Sequence, residues 1–405
     1  MISLLSPLLL AHGAWMSVRD RAPHLLPQKL GLQTPWRSDH PIWLHMASVG
    51  EVNAAQPLVT ALRTRHPALP LLATTFTATG AEAARARLST NIEHAYLPFD
   101  FGYATRRFLA SAKPRCALIM ETEIWPRLFY ECHRFNIPLV IINGRLSQRT
   151  LKRPAWMLNI LHDALQNVAM VLARSPTDAE GFRALGVPEE RIQIIDSIKF
   201  AATPKEIHPI PLGRPYVVAA STHDDEEMRI TTAWLASKLA HSHLLVIVPR
   251  HPQRSDSIQK QLRTLGAQVA RRSAHEDVDN NTAIYLADTF GELQNFMAGA
   301  ELVFMGGTLI PRGGQNVIEA ARLERVAIFG PHMENFAEER ALLLGCEGAL
   351  EVESADRMVM SAAALIADPS RRAAMGANAK RAIEAKGDIV ARYLDALEPW
   401  LKAAP

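Results

Sequence analysis

Short runs of apolar, largely β-branched residues alternate with longer amphipathic segments along almost the whole chain. That alternation marks βαβ units, in which a buried strand is followed by a helix that covers it. The first half predicts strands near residues 42–49, 70–76, 93–98, 115–121, 138–143, 169–174 and 192–196, with helices between them. Residues 201–215 then carry Pro204, Pro209, Pro211 and Pro215. A stretch with so many missing backbone donors and fixed φ angles is neither helix interior nor central strand, so it reads as a domain boundary. Beyond it the alternation resumes with strands near 216–221, 243–249, 283–287, 301–305 and 326–329, and it closes in helical segments from about 354 to 402. The expected organisation is a first domain over 1–203, a second over 204–390, and a terminal helix over 391–405 that packs back on the first. Both domains are expected to be doubly wound α/β sheets, whose ligands bind outside the carboxyl ends of the strands.

The 405 residues are 48% hydrophobic and 21% charged, a balance that supports two cores and excludes a disordered or fibrous chain. The best candidate for a spanning helix, residues 2–11, stops at His12 and Gly13, short of the ~18 apolar residues a bilayer requires. It also lacks the basic flank and small-residue cleavage site of a signal peptide, so a cytoplasmic location is expected. Cys116, Cys132 and Cys346 are odd in number and widely spaced, which predicts reduced thiols rather than a disulfide framework or metal site. The net charge of +3 is uneven, with +7 on residues 1–200 and −4 on the rest. Spread over many segments with little aromatic interleaving, that surplus suits an anionic partner or membrane surface better than a nucleic-acid groove. A merely solvated surface is the competing reading.

Chemistry is concentrated in the turns that follow strands. There is no GxxxxGK[ST] cradle and no GxGxxG after a strand. Gly306-Gly307 and Gly313-Gly314 bracket Thr308-Leu309-Ile310-Pro311-Arg312, and a helix is expected to start near Asn316. The backbone N–H groups of such a turn, with a helix N-terminus, form an anion site fit for a phosphate. Glu319 either completes a capping box with Asn316 or accepts hydrogen bonds from a ribose diol. In the first domain, Val49-Gly50-Glu51 precedes a helical pattern from Val52 to Arg65. Glu51 either suits the helix macrodipole or takes a proton from a substrate hydroxyl. Further polar strand ends are Glu121-Thr122-Glu123-Ile124-Trp125-Pro126, Asn143-Gly144-Arg145-Leu146-Ser147, Ser221-Thr222-His223 and Pro249-Arg250-His251-Pro252. Glu121 and Glu123 turn to one face if that segment is extended, with a helix starting at Pro126. Asp224-Asp225-Glu226-Glu227 reads as a charged helix start. Neither a Ser/His/Asp order nor HExxH spacing occurs.

Taken in order, these motifs resemble the 3-deoxy-D-manno-octulosonic acid (Kdo) transferase family. The likeness runs through His45-Met46-Ala47-Ser48-Val49-Gly50-Glu51, Thr79-Gly80, Leu97-Pro98-Phe99-Asp100, the turns at Glu121 and Asn143, and Ser221-Thr222-His223. It continues through Val248-Pro249-Arg250-His251-Pro252, residues 288–293, the glycine turn up to Glu319, and Gly330-Pro331 with Asn335-Phe336. The resemblance implies a GT-B architecture, two Rossmann-like domains facing each other across a cleft, and an inverting glycosyl transfer. CMP-Kdo is the implied donor, held by the C-terminal half, and a lipid A precursor the implied acceptor, met by the N-terminal half at the cytoplasmic face of the inner membrane. No metal or other cofactor is implied, and no nucleic acid.

By the same resemblance Glu51 is the general base and Glu319 the ribose ligand, while Arg250, Gly313, Gln315 and Asn316 fall in segments that hold CMP. Ser221, Thr222, Pro249, His251, Gly307, Gly314 and Asn335 are assigned to the same donor site. Lys199, Ser48, Gly50, Glu121 and Arg145 are assigned to phosphate or acceptor contacts. The chain departs from the family pattern where Gly-Asn-Leu-Lys appears as Asp196-Ser197-Ile198-Lys199, where a Gly is replaced by Asp225, and where a Pro is replaced by Ala320. Two other readings share these motifs. One is a GT-B relative using another nucleotide-activated acidic sugar, and the other a CMP-sugar-binding paralogue without turnover, against which the intact Glu51 speaks.

Overall fold

The computed structural model describes residues 22–32, 36–88, 92–146, 148–201 and 206–402, with Ser17 and Arg19 ahead of them. The apolar start at residues 2–11, Ser147 and Pro204 lie outside the described residues. The chain divides into two compact units, one running to Thr203 and resuming at Asp388, the other Pro204–Gly387.

The first unit carries seven parallel strands: β1 (Ile42–His45), β2 (Leu71–Thr75), β3 (Glu93–Tyr96), β4 (Cys116–Met120), β5 (Leu139–Gly144), β6 (Met170–Ala173) and β7 (Ile192–Ile194). Their order is β3-β2-β1-β4-β5-β6-β7, so the winding reverses between β1 and β4. Crossovers leave that point in opposite directions and open a crevice at the carboxyl ends of the two strands. On one face Trp43 meets Phe108 edge-on at 5.0 Å, within a core that includes Leu128, Phe129 and Phe182. On the other, helix Val49–Arg65 packs against the terminal helix Ile389–Lys402. Tyr393 of that terminal helix donates its hydroxyl to the Asp196 carbonyl at 3.1 Å, and Arg392 pairs with the Asp196 carboxylate at 3.0 Å.

The second unit has the strands β8 (Tyr216–Thr222), β9 (Leu244–Pro249), β10 (Val269–Arg271), β11 (Ile284–Leu286), β12 (Leu302–Met305), β13 (Val326–Phe329) and β14 (Ala349–Glu351). They form a second parallel sheet in the order β10-β11-β9-β8-β12-β13-β14, with its reversal between β8 and β12. The edge strands β10 and β14 are not expected from the sequence, because three residues are too few to show a period.

Strand ends are where local chemistry overrides the apolar pattern. The run expected over 42–49 stops at His45, because Ser48 caps helix Val49–Arg65 by accepting the Glu51 N–H at 3.4 Å. β4 stops at Met120, because Glu121 takes a left-handed backbone with φ 55°. Asn143 and Ser221, at φ 52° and 53°, take the same backbone as the penultimate residues of β5 and β8, where the sheet register shifts. Non-glycine residues held there cost roughly 1–3 kcal/mol each, a strain that concentrates at functional strand ends.

Candidate active site

Glu51 occupies the first turn of helix Val49–Arg65, beyond the carboxyl end of β1. Its Oε2 accepts the Ala47 N–H at 2.8 Å and its Oε1 the Ser48 hydroxyl at 3.0 Å. Burial pushes the carboxyl up to about 7; the Ala47 and Ser48 contacts oppose the rise, and the charges of Glu121 and Glu123 add to it. A Cβ added at Gly50 would have only Ser48 Oγ near it, at 3.8 Å, so the helix mouth beside Glu51 is open.

Behind this carboxylate lies a layer that sequence reasoning missed. Glu123 accepts the Trp125 indole N–H at 3.0 Å, and Trp125 stacks on Phe76 at 5.2 Å. Over the same Phe76 ring sits the fully buried Lys29 ammonium, 3.3 Å from the centroid. His45 Nε2 is 4.0 Å from Glu123, while its Nδ1 meets Thr74 Oγ1 at 2.9 Å. Burial drives the Lys29 amine well below its ordinary range and, with Lys29 beside it, the His45 imidazole down to about 3. No motif marks Lys29, since it ends a five-residue helix in an otherwise featureless stretch.

Glu121 and Glu123 do not alternate along a strand as expected; the left-handed Glu121 breaks the strand, yet both carboxylates act on Glu51. Asn143 donates to Glu121 Oε1 at 3.4 Å and accepts the Ile198 N–H at 3.1 Å. Lys199, the next residue, is thereby tied to the strand ends of the first unit, as is Arg145, two positions past Asn143.

In the second unit, cationic and imidazole groups gather at the ends of β8 and β9. His223 meets His251 edge-on at 5.6 Å, and its Nε2 is 3.2 Å from the Gln315 amide nitrogen. Burial, then His251, Arg312, Arg250 and Arg254, hold the His223 imidazole down at about 4. Arg254 is neutralised by Asp224 at 2.8 Å and Glu227 at 3.2 Å. Thr222 donates to that same Glu227, and Pro249 pairs with Thr222 in the sheet. Asn335 packs on Gly313, where a Cβ would lie 2.2 Å from its amide nitrogen.

The glycine turn differs from its expected form. Its N–H groups at Gly307, Thr308 and Leu309 do not stand open for a phosphate, because the buried carboxylate of Glu226 accepts all three. Gly314 N–H is likewise spent on the Gly307 carbonyl, at 2.9 Å. As expected, a helix (Glu226–Leu235) starts at this acidic run, with Glu226 and Glu227 buried in its first turn. The helix after the glycine turn begins at Ile318, near Asn316 as expected, and spans only five residues. Asn316, just ahead of the Val317 N-cap, accepts the Ile318 N–H at 3.1 Å, and its amide lies 3.5 Å from Glu319 Oε1. Asp225 and Asp196, which replace family glycines, both take left-handed backbones, with φ 76° and 64°. Asp tolerates that region better than most residues, so these departures leave the chain path intact.

Residues 24–202 match the family model described as 3-deoxy-D-manno-octulosonic-acid transferase (kdotransferase). The chain is 36% identical over 391 residues to a 3-deoxy-D-manno-octulosonic acid transferase of Bordetella pertussis, covering 92% of this chain and 90% of that one. This chain belongs to the Kdo transferase family. A Haemophilus influenzae transferase of the same name is 32% identical, with 99% and 97% of the two chains covered. A solved glycosyltransferase of Rickettsia africae shares the fold alone, at TM-score 0.63 and 11% identity over 91% of this chain and all of its own. The chain is therefore an enzyme of the glycosyltransferase class on the two-sheet GT-B plan.

Proposed function

We propose that this enzyme moves Kdo from CMP-Kdo to a hydroxyl of a lipid A precursor, with inversion at the anomeric carbon. The observation that carries the reading is Glu51, a buried carboxylate at a strand end beside an open helix mouth, tuned close to neutral pH. A base so tuned takes a proton as the acceptor oxygen attacks. In that step the acceptor O–H proton passes to Glu51, a C–O bond forms at the anomeric carbon, and the bond to the CMP phosphate breaks with its electron pair leaving on CMP. The sugar gains oxocarbenium character while negative charge grows on the phosphate. The cations around His223, with Arg250 foremost, are suited to stabilise that charge, and Glu319 is suited to hold the ribose.

The acceptor side also fits an anionic lipid surface. Helices Gly102–Ala112, Pro126–Arg134 and Ala155–Leu165 pack side by side on one face of the first sheet. They expose Tyr103, Tyr130, Trp156 and Ile160, and Arg106, Arg127 and Arg134 surround the buried Glu131. Arg127 lies over the Tyr130 ring at 4.9 Å. Aromatic rings and guanidinium groups together suit an interfacial position over acidic headgroups. Among the described residues no helix is long and apolar enough to cross a membrane. Incubation with CMP-Kdo and tetra-acylated lipid A precursor tests the reading: mass spectrometry should show a Kdo-bearing product, and its absence with active donor would sink it.

A further inference from the structure

The glycine-rich turn that follows β12 already holds an anion, and the protein supplies it. One Glu226 oxygen accepts the N–H groups of Gly307 at 2.6 Å and His223 at 3.1 Å, and the other those of Thr308 and Leu309 at 3.1 Å each. The side chain is fully buried, and its four donors come from two segments far apart in sequence. Convergent backbone N–H groups of this kind form an anion nest, the device by which other proteins seize phosphate. A phosphate cannot share it, because all four N–H groups are already spent on the Glu226 carboxylate.

We propose that Glu226 is the positioning residue of the donor site, an internal anion that fills the nest and so fixes both limbs that meet the nucleotide. The ligand in this inference rests on the donor reading above, whereas the filled nest stands on its own geometry. On one limb, fixing the His223 N–H places its ring against Gln315 and His251. On the other, fixing Gly307 places the carbonyl that takes the Gly314 N–H, and with it the Gly313 carbonyl that takes the Asn335 N–H at 3.0 Å. Thr308, held by the same carboxylate, accepts the Gly330 N–H at 2.7 Å and ties in the end of β13. With the nest occupied, the donor phosphate is left to the cations beside His223, Arg250 and Arg312.

Amide hydrogen exchange on the wild-type enzyme, with and without CMP, reads the nest directly and needs no variant to fold. The His223, Gly307, Thr308 and Leu309 amides should be protected without CMP and change little with it; rapid exchange that slows only on CMP addition would overturn the proposal. Calorimetric titration of CMP then follows its consequence. Glu226→Ala should bind CMP at least about tenfold more weakly, Glu226→Gln should fall between, and formate, small enough to enter the vacated nest, should restore most of the affinity to Glu226→Ala. Unchanged affinity in the alanine variant, or a loss that formate does not reverse, would contradict the positioning role. Should wild type bind no CMP, the donor reading fails, and the positioning role with it, while the four amides still report whether Glu226 fills the turn.

Discussion

Glu51 reaches back four residues to the Ala47 backbone, accepting its N–H at 2.8 Å instead of extending into solvent. The contact fixes the carboxylate at the helix mouth yet leaves each oxygen a lone pair for a substrate proton. Burial outweighs it, which is why the group ionises near neutral pH rather than in the ordinary carboxylate range.

Replacing Glu51 by Gln keeps the shape and removes the base. Transfer should fall by ~10²–10⁴-fold while CMP affinity holds. Near-normal turnover would reduce Glu51 to a helix-end charge.

The same variant carries a stability signature. The folded-state value of about 7 lies above the ordinary 4.5, so the protonated carboxyl favours the fold, and this contribution is complete below 4.5 and lost as pH rises through 7. Relative to wild type, Glu51→Gln should therefore gain stability between acid and mildly alkaline pH, by ~2–3 kcal/mol. Melting curves of both proteins across that window check the sign; parallel curves would show that Glu51 titrates normally.

Glu123 raises the Glu51 value through its charge. Glu123→Gln should shift the acid limb of the kcat/KM profile to lower pH, because one repelling negative charge is gone. A limb that stays in place would uncouple the two carboxylates.

The ribose assignment makes a separate demand on Glu319. Since the Ile318 N–H is already taken by Asn316 and not by Glu319, Glu319→Ala should cost little stability, on the order of 1 kcal/mol or less. CMP affinity should nonetheless drop at least about tenfold, as charged hydrogen bonds to two hydroxyls are lost. Titration calorimetry beside thermal melts separates these effects, and unchanged affinity rejects the assignment.

For the lipid surface, Trp156→Ala combined with Ile160→Ser should weaken binding to vesicles rich in acidic phospholipid without changing CMP affinity. High salt should weaken the wild-type interaction as well, because guanidinium contacts to headgroups are screened. Vesicle sedimentation reads both, and salt-insensitive binding would remove the electrostatic part.

Much of the fold was legible because buried parallel strands leave apolar runs, as at 116–120 and 244–249, and because the Pro-rich stretch interrupts them. The edge strands Val269–Arg271 and Ala349–Glu351 were not, being too short to carry a period. Glu51 and Glu319 stood out by following glycine-bearing strand ends. Glu226 did not, since a carboxylate at a helix start looks alike in one dimension whether it faces water or turns inward to distant N–H groups. Lys29 was hidden for a similar reason: only the folded sheet brings its amine over Phe76 and near Glu123.

The most direct measurement is Kdo transfer from CMP-Kdo to tetra-acylated lipid A precursor, followed by mass spectrometry for wild type and Glu51→Gln in parallel. Wild type should convert the acceptor, with a rate that climbs through pH ~7 as Glu51 ionises, and the variant should bind CMP yet form product ~10²–10⁴-fold more slowly. A wild-type enzyme that binds CMP but yields no Kdo-bearing lipid, or a Gln variant as fast as wild type, would contradict the account.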